Sequence, residues 1–338
     1  MSGIWNPLTD MPNVEGKVVV VTGGTAGIGT STVKYLALRG AKVYFTARSR
    51  SKAENTIDSL TSEFPQIGRE QLDWLPVDLA NLQTVRAGLA ELKARETMVD
   101  ILINNAGIAS STTEKAGPGW EWHMAVNHVG HFVFTNGILP LLKKAANQEG
   151  SDVRIVTLSS NVNYAMLPQN FEFTFESTSF LTTPVPYYPW QWRYLVRHIF
   201  YVDMIRYAVS KLANLLFAQE LQRLMDEQGL PILSISVHPG GVDSEGCKDI
   251  GNAVFSLVRS TFLTPDQGAI TTLFAATAEK VRQNPETFKG KYLEPYGKVV
   301  TPHPVSKNQK QVKGMWDNTT LEVNKHLAKA GLEPLQNW

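Results

Sequence analysis

The chain has 338 residues, a formal net charge of +1 at neutral pH and a single cysteine, Cys247. A near-neutral balance gives no electrostatic reason for a nucleic acid or an acidic partner, and one thiol excludes an internal disulfide and fits a reducing compartment. No run of about 18 apolar residues could span a bilayer, and Met1-Ser2-Gly3-Ile4-Trp5-Asn6-Pro7 has neither the basic start nor the apolar core of a secretion signal, so the expected location is cytoplasmic.

The first predicted strand, residues 18–22, is a run of valines of the kind buried on both faces of a parallel sheet. Thr22-Gly23-Gly24-Thr25-Ala26-Gly27-Ile28-Gly29 follows, and from Ser31 to Arg39 the period turns helical, with Val33, Leu36 and Ala37 on one face. Strand, glycine-rich turn and helix open a dinucleotide-binding unit, with Gly23, Thr25, Gly27, Ile28 and Gly29 as candidate cofactor contacts. Glycine lets the backbone approach a pyrophosphate, and the helix N-terminus offers free N–H groups. The competing reading is an ordinary βα turn whose glycines serve packing.

The second strand, residues 42–46, runs into Ala47-Arg48-Ser49-Arg50. An NAD-binding chain offers Asp or Glu here to the ribose 2′-hydroxyl, whereas an Arg suits a 2′-phosphate. No acidic residue appears before Glu54, so NADP(H) is the expected cofactor and Arg48 its reader. The alternative is that Arg48 and Arg50 are solvated loop charges.

Further strands are predicted at 73–76, 101–104, 154–159, 233–238 and 290–293, with helical patterns between them. The alternation predicts an α/β fold, a doubly wound parallel sheet in a single domain over residues 1–338. Residues 307–331 read as a terminal helix packed on the domain edge, within a helical tail of 305–338. His123, His128 and His131 lie close together, but their spacing does not put them on one helical face, so no metal is expected.

Residues 207–211 read Tyr-Ala-Val-Ser-Lys. On a helix, Tyr207 and Lys211 lie one turn apart on the same face. A free tyrosine ionises near ~10, and a neighbouring ammonium lowers that value toward the range useful for proton transfer. Alone the pair is a weak signal. It gains weight from the glycine turn and from four other landmarks: Asp78 after the third strand, Asn105-Ala106-Gly107 after the fourth, Asn127 in Asn127-His128-Val129-Gly130-His131-Phe132, and Ser159-Ser160 after the fifth.

With His238-Pro239-Gly240-Gly241-Val242-Asp243-Ser244, this ordered set resembles the short-chain dehydrogenase/reductase family over roughly residues 14–300. Asn127-His128-x-Gly130-His131-Phe132, Tyr207-x-x-Ser210-Lys211-Leu212-Ala213-Asn214 and Thr264-Pro265-Asp266-Gln267-Gly268-Ala269 are similar to its retinol-dehydrogenase-like branch, which includes WW-domain oxidoreductases and protochlorophyllide reductases. The resemblance implies a Rossmann-type enzyme with Asn127, Ser160, Tyr207 and Lys211 as catalytic residues. Tyr207 would be the general acid or base, Ser160 the donor to the substrate oxygen, Lys211 the partner of Tyr207 and of the nicotinamide ribose, and Asn127 the holder of a relay water. Asp78 would contact adenine. Asn105, Ala106 and Gly107 would lie beside the cofactor, and Pro239, Gly240, Val242 and Ser244 would close over the nicotinamide. Ser159 competes with Ser160, but adjacent strand residues face opposite ways and relatives use the second. A homodimer through the helix of Tyr207 is a further implication.

Between Ser160 and Tyr207 the chain departs from the family by an insertion, 161–206 in all, with Phe171, Phe173, Phe175, Phe180, Tyr187, Tyr188, Trp190, Trp192, Tyr194, Phe200 and Tyr201. Phe171-Glu172-Phe173-Thr174-Phe175 alternates like a strand. The segment is expected to be a lid over a bulky apolar small-molecule substrate, with a local mini-core or a contact surface as alternatives. A nucleotide-bound scaffold or sensor, an NAD-dependent alcohol dehydrogenase and a dehydratase or epimerase on the same fold stay open as other functions.

Overall fold

The computed structural model describes residues 4–169, 171, 173–183, 202–242 and 262–338. The chain opens with β1 (Val18–Val21), α1 (Gly27–Leu38), β2 (Lys42–Ala47), α2 (Arg50–Glu63), β3 (Leu72–Pro76), α3 (Leu82–Arg95) and β4 (Ile101–Asn104). A two-stranded ribbon of β5 (Lys115–Ala116) and β6 (Trp120–Glu121) leads through a π-helical turn, Met124–Val129, into α4 (Gly130–Ala146). Then come β7 (Val153–Leu158), the short α5 (Val162–Ala165), α6 (Met204–Glu227), β8 (Ile232–Val237), α7 (Pro265–Thr277), α8 (Glu279–Gln283), α9 (Pro285–Phe288), β9 (Tyr292–Glu294), β10 (Lys298–Val300) and α10 (Gln309–Lys329).

Eight strands form one sheet in the order β10-β9-β8-β7-β4-β1-β2-β3, parallel except for β10. Two apolar cores cover its two faces. One joins α3, α4, α6 and α10 through residues such as Leu89, Phe132, Leu215 and Trp316, and the other joins α1, α2 and α7 through Leu36, Ile57 and Leu273. Helices on both faces explain why Val19, Val20 and Val21 are all fully buried. Strand order reverses between β1 and β4, and in such sheets ligands bind in the crevice beyond the C-terminal strand ends at that point.

The predicted strands are present, with shifts of one or two residues at their ends. The predicted helix 31–39 begins four residues earlier, because Gly27, Ile28 and Gly29 already form its first turn. The ribbon β5–β6 and the edge strand β10 carry no periodic signal, being two or three residues long. The terminal helix does more than line an edge. Asn308 caps it by accepting the N–H groups of Lys310 and Gln311, and it buries Met315, Trp316, Val323 and Leu327. Trp316 stacks on Phe217 of α6 with ring centroids 5.6 Å apart, and Trp338 meets both Trp316 and Phe132 at 4.5 and 4.8 Å.

Candidate active site

The cradle begins where β1 stops. Thr22 turns out of the strand, and its hydroxyl oxygen accepts the N–H groups of Asn105 and Ala106, each at 2.9 Å. The Asn105 amide donates to the carbonyls of Thr22 and Gly23 at 2.8 and 3.2 Å. The glycine turn is thus laced to the end of β4. Space requires glycine at Gly23, Gly24 and Gly29. A Cβ on Gly29 would lie 2.0 Å from the Gly23 carbonyl oxygen, and one on Gly23 would lie 2.9 Å from Ala106 Cβ. Gly27 adopts φ +54°, a left-handed value that favours glycine. Ala26 at the start of α1 has no capping side chain, and no acidic residue occupies the first turn. Free N–H groups, a close-packed glycine turn and the Thr25 side chain beside them form the donor set that a dinucleotide pyrophosphate needs.

At the end of β2, Arg48 is exposed and has no ion pair among the described residues. Arg50 lies over the Trp74 ring at 5.6 Å. Ser49 caps α2, accepting the Lys52 N–H. Glu54, the nearest acid, is held by Arg69 at 3.0 Å and by the Trp74 indole at 3.3 Å, which leaves Arg48 as the unengaged charge at this strand end. Asp78 lies past β3 and spends one carboxylate oxygen on the Ala80 N–H at 3.0 Å.

The catalytic candidates lie on three elements: α6, the end of β7 and the π-helical turn. Asp203 caps α6 by accepting the Arg206 N–H at 3.2 Å, and the helix carries Tyr207 and Lys211 one turn apart. The Lys211 ammonium donates to the Leu158 carbonyl at 3.1 Å and lies 5.8 Å from the centre of the Tyr207 ring. It is 4% exposed, and burial lowers its pKa from 10.5 to about 8. Gly107 passes so close that a Cβ there would stand 3.0 Å from the ammonium.

β7 ends at Leu158, so Ser159 and Ser160 lie beyond the strand and alternation does not separate them; hydrogen bonding does. The Ser159 hydroxyl donates to the Lys211 carbonyl at 2.6 Å and accepts from the Asn163 amide at 3.3 Å, which ties it to the scaffold. Among the described residues, the Ser160 hydroxyl accepts a long bond, 3.4 Å, from the Val162 N–H and has no other partner. Asn163, which the sequence reading overlooked, anchors this corner, and so does Asn214, whose amide shares the Leu158 carbonyl with Lys211 at 3.1 Å.

Asn127 sits in the π-helical turn, a local irregularity common at functional sites. Its side-chain oxygen accepts the Ile108 N–H at 2.8 Å. Its amide donates to the Ile108 carbonyl and to the Ser210 hydroxyl, both at 3.0 Å. Its own carbonyl accepts from His131 Nδ1 at 2.9 Å, and His131 Nε2 lies 2.8 Å from the Thr22 hydroxyl. Burial keeps His131 neutral, with its pKa lowered to about 4. Thr22 already accepts two N–H groups, so its proton goes to His131 Nε2. A buried hydrogen-bonded line therefore joins the glycine turn to Asn127. His128 instead packs toward α10, 3.1 Å from the Thr319 hydroxyl.

On the far side, Gly240 follows Pro239 with φ +95°, and Val242 pairs with Leu263. A Cβ on Gly268 of α7 would meet Val242 at 2.5 Å and Ile28 at 3.2 Å. Val242 and Ile28 are thus brought together on α7. Ser244 lies outside the described residues. His238 is 6% exposed with Nδ1 unpartnered among the described residues, and burial and Lys211 lower its pKa to about 4. A groove of about 360 Å³ between α1 and α2, lined by Thr25, Lys34, Asn55 and Glu63 among others, does not reach Tyr207 or Ser160.

Among the described residues of the insertion's first half, 171 and 173–175 form no strand, against the alternation of their sequence. Phe173 stacks on Phe175 at 5.4 Å, Phe175 meets Phe180 at 5.1 Å, and Phe175, Phe180 and Leu181 are fully buried. The Phe175 carbonyl accepts the Asn318 amide of α10 at 2.9 Å. These rings extend the core under α10, as a local mini-core would. Tyr187, Tyr188, Trp190, Trp192, Tyr194, Phe200 and Tyr201 lie outside the described residues, and so does the lid expectation for them.

Residues 17–171 match the family profile described as short chain dehydrogenase. The chain is 42% identical over 322 residues to the short chain dehydrogenase/reductase dpchH of Colletotrichum higginsianum, covering 95% of this chain and 78% of that one. It is 32% identical over 287 residues to the polyprenol dehydrogenase of Mus musculus, covering 84% and 77%. Among solved structures, an uncharacterised protein from Mycobacterium paratuberculosis superposes with a TM-score of 0.67 at 25% identity over 94% of this chain and 97% of that one. The NADPH-bound carbonyl reductase from chicken fatty liver gives 0.59 at 23% identity, over 85% and 100%, a likeness of fold.

Proposed function

The chain belongs to the short-chain dehydrogenase/reductase family, and on that premise we propose that it is an NADP(H)-dependent oxidoreductase acting on the carbonyl or alcohol carbon of a bulky apolar molecule. The observation that carries the reading is the buried Lys211 ammonium, held at the Leu158 carbonyl two residues before Ser160, one helical turn from Tyr207 and close against Gly107. The nicotinamide, when bound, supplies or takes the hydride. Gly23, Thr25, Gly27, Ile28 and Gly29 would hold its pyrophosphate, Asp78 its adenine, and Asn105, Ala106, Gly107, Pro239, Gly240, Val242 and Ser244 its walls.

In the reducing direction the Tyr207 hydroxyl gives its proton to the substrate oxygen, and the Ser160 hydroxyl donates a hydrogen bond to that oxygen as charge develops there. Lys211, held at the Leu158 carbonyl, keeps a positive charge beside Tyr207 and returns the proton. Burial brings its pKa to about 8, so it gives up a proton near neutral pH far more readily than a surface lysine. Asn127 fixes the loop after β4 against α6 through Ile108 and Ser210. In oxidation each proton runs the other way.

The unengaged Arg48, with Glu54 bound elsewhere, supports a 2′-phosphate over a 2′-hydroxyl. A relative named polyprenol dehydrogenase supports an isoprenoid-like alcohol or aldehyde as the apolar substrate. The test is a calorimetric titration with NADPH and NADH of the wild type and of Arg48→Asp. NADPH binding is expected to weaken by roughly 10- to 100-fold in the variant, the loss of one charge-assisted phosphate contact, with NADH changed little. Equal loss for both nucleotides would refute the 2′-phosphate assignment, and no binding of either would refute the oxidoreductase reading.

A further inference from the structure

Glu121 and His123 lie at the end of the β5–β6 ribbon, just before the turn that carries Asn127, and both are almost wholly buried, at 3% and 0% exposure. One Glu121 carboxylate oxygen lies 2.8 Å from His123 Nδ1, and the other accepts the Met124 N–H at 3.0 Å. His123 Nε2 faces the Ser110 N–H at 3.1 Å. A backbone amide only donates, so Nε2 is the acceptor, and the ring proton sits on Nδ1 and points at Glu121. The ring is therefore fixed at both nitrogens.

The line continues. The Ser110 carbonyl accepts the Asp203 N–H at 3.0 Å, and the Asp203 carbonyl accepts the Tyr207 N–H at 3.0 Å. Asp203, 3% exposed, also caps α6 through the Arg206 N–H. The His123 ring meets the Tyr207 ring edge-on, with centroids 6.2 Å apart. Glu121 also holds the first amide of the π-helical turn that carries Asn127. An acid–imidazole pair thus connects the Asn127 turn, the loop after β4 and the first turn of the helix carrying Tyr207.

We propose that Glu121 and His123 are positioning residues for the reaction: through Ser110 and Asp203 they hold the Tyr207 hydroxyl in register with Ser160 and Lys211. The proposal rests on the reading of Tyr207 as the proton donor. A surface pair would be solvated and loose, whereas this one is buried, so removing either member leaves a buried polar group unpaired and frees the start of α6. Proton transfer is steep in distance, and a displacement of about 1 Å is enough to slow chemistry roughly 100-fold.

The test compares His123→Phe, which keeps a ring against Tyr207 but removes both nitrogens, Glu121→Gln, which keeps the shape, and His123→Gln, whose amide can reach both former partners. Turnover of NADPH with phenanthrenequinone, citral and decanal is followed alongside NADPH affinity and amide hydrogen exchange. His123→Phe and Glu121→Gln should lower kcat by about tenfold or more with NADPH affinity within about twofold, and His123→Gln should recover most of the loss. Amides of residues 203–208 should exchange faster in the first two variants while those of α1 do not change. Wild-type kcat in His123→Phe overturns the proposal. So does a loss of kcat matched by loss of NADPH affinity and by faster exchange throughout the chain. Tyr207→Phe separates the two readings: if it turns over like the wild type, or if no probe is reduced by the wild type, the assignment of Tyr207 falls. The exchange at 203–208 then decides whether the pair positions the helix, and unchanged exchange there overturns it.

Discussion

The two halves of the candidate site are built in opposite ways. The half proposed for the cofactor is local. Thr22 to Gly29 are consecutive, and their geometry follows from glycine's lack of a side chain and from the free end of α1. The reactive half is assembled from distant segments. Gly107, Asn127, Leu158, Ser160, Tyr207 and Lys211 span more than a hundred residues, and they meet only because β4, β7 and α6 pack side by side. A local site should fail through backbone geometry and an assembled one through loss of a single functional group, and substitutions can separate the two.

The largest effect is expected in the assembled half. Tyr207→Phe removes one hydroxyl from a half-buried ring, so turnover should fall by about 10²- to 10⁴-fold, the usual contribution of a general acid or base. NADPH affinity and melting temperature should change little, and parallel loss of affinity would mean that Tyr207 also builds the cradle. Gly29→Ala should do the reverse. Its Cβ would stand 2.0 Å from the Gly23 carbonyl. The turn must therefore move, at a cost of about 1–3 kcal/mol, and NADPH affinity should drop by roughly tenfold or more. Wild-type affinity in Gly29→Ala would show that the turn is not held as tightly as its packing indicates.

Lys211→Met gives the smallest and most diagnostic shift. In the folded chain the lysine loses its proton near pH 8, whereas in the unfolded chain it does so near 10.5. Between those values the unfolded state binds more protons, so this group makes the cofactor-free protein more stable as pH rises and less stable as pH falls toward 8. Below 8 the full penalty is present. Lys211→Met should thus raise the melting temperature at neutral pH and flatten its dependence between pH 8 and 10.5. A steeper dependence in the variant would place the shifted group elsewhere.

Much of the fold was legible because its signals are periodic. The valine run of β1, the spacing of Val33 and Leu36 in α1 and the strand–helix alternation all report burial on known faces. The Tyr207–Lys211 pair was legible because one helix carries both. Thr22 could not be read as a hub, since its partners Asn105, Ala106 and His131 are more than 80 residues away. Glu121 and His123 were obscured because their own partners are near in sequence, while the link onward to Tyr207 passes from Ser110 to the distant Asp203. In sequence the three histidines lie close together without sharing a helical face, and in the fold His123 faces Ser110, His131 faces Thr22 and His128 faces α10. The aromatics at 171–180 likewise suggested a substrate-facing lid, and α10 turns Phe175 and Phe180 into core.

The sequence by itself determined the glycine turn after β1, the parallel sheet and the placing of Tyr207 and Lys211 one turn apart on a helix, because each depends on neighbours along the chain and on side-chain periodicity. Only the tertiary structure decided which serine is spent on the scaffold, why Lys211 holds a depressed pKa, and what Glu121 and His123 support. Those outcomes depend on burial and on hydrogen-bond partners brought together across the sheet, which have no signature in local order.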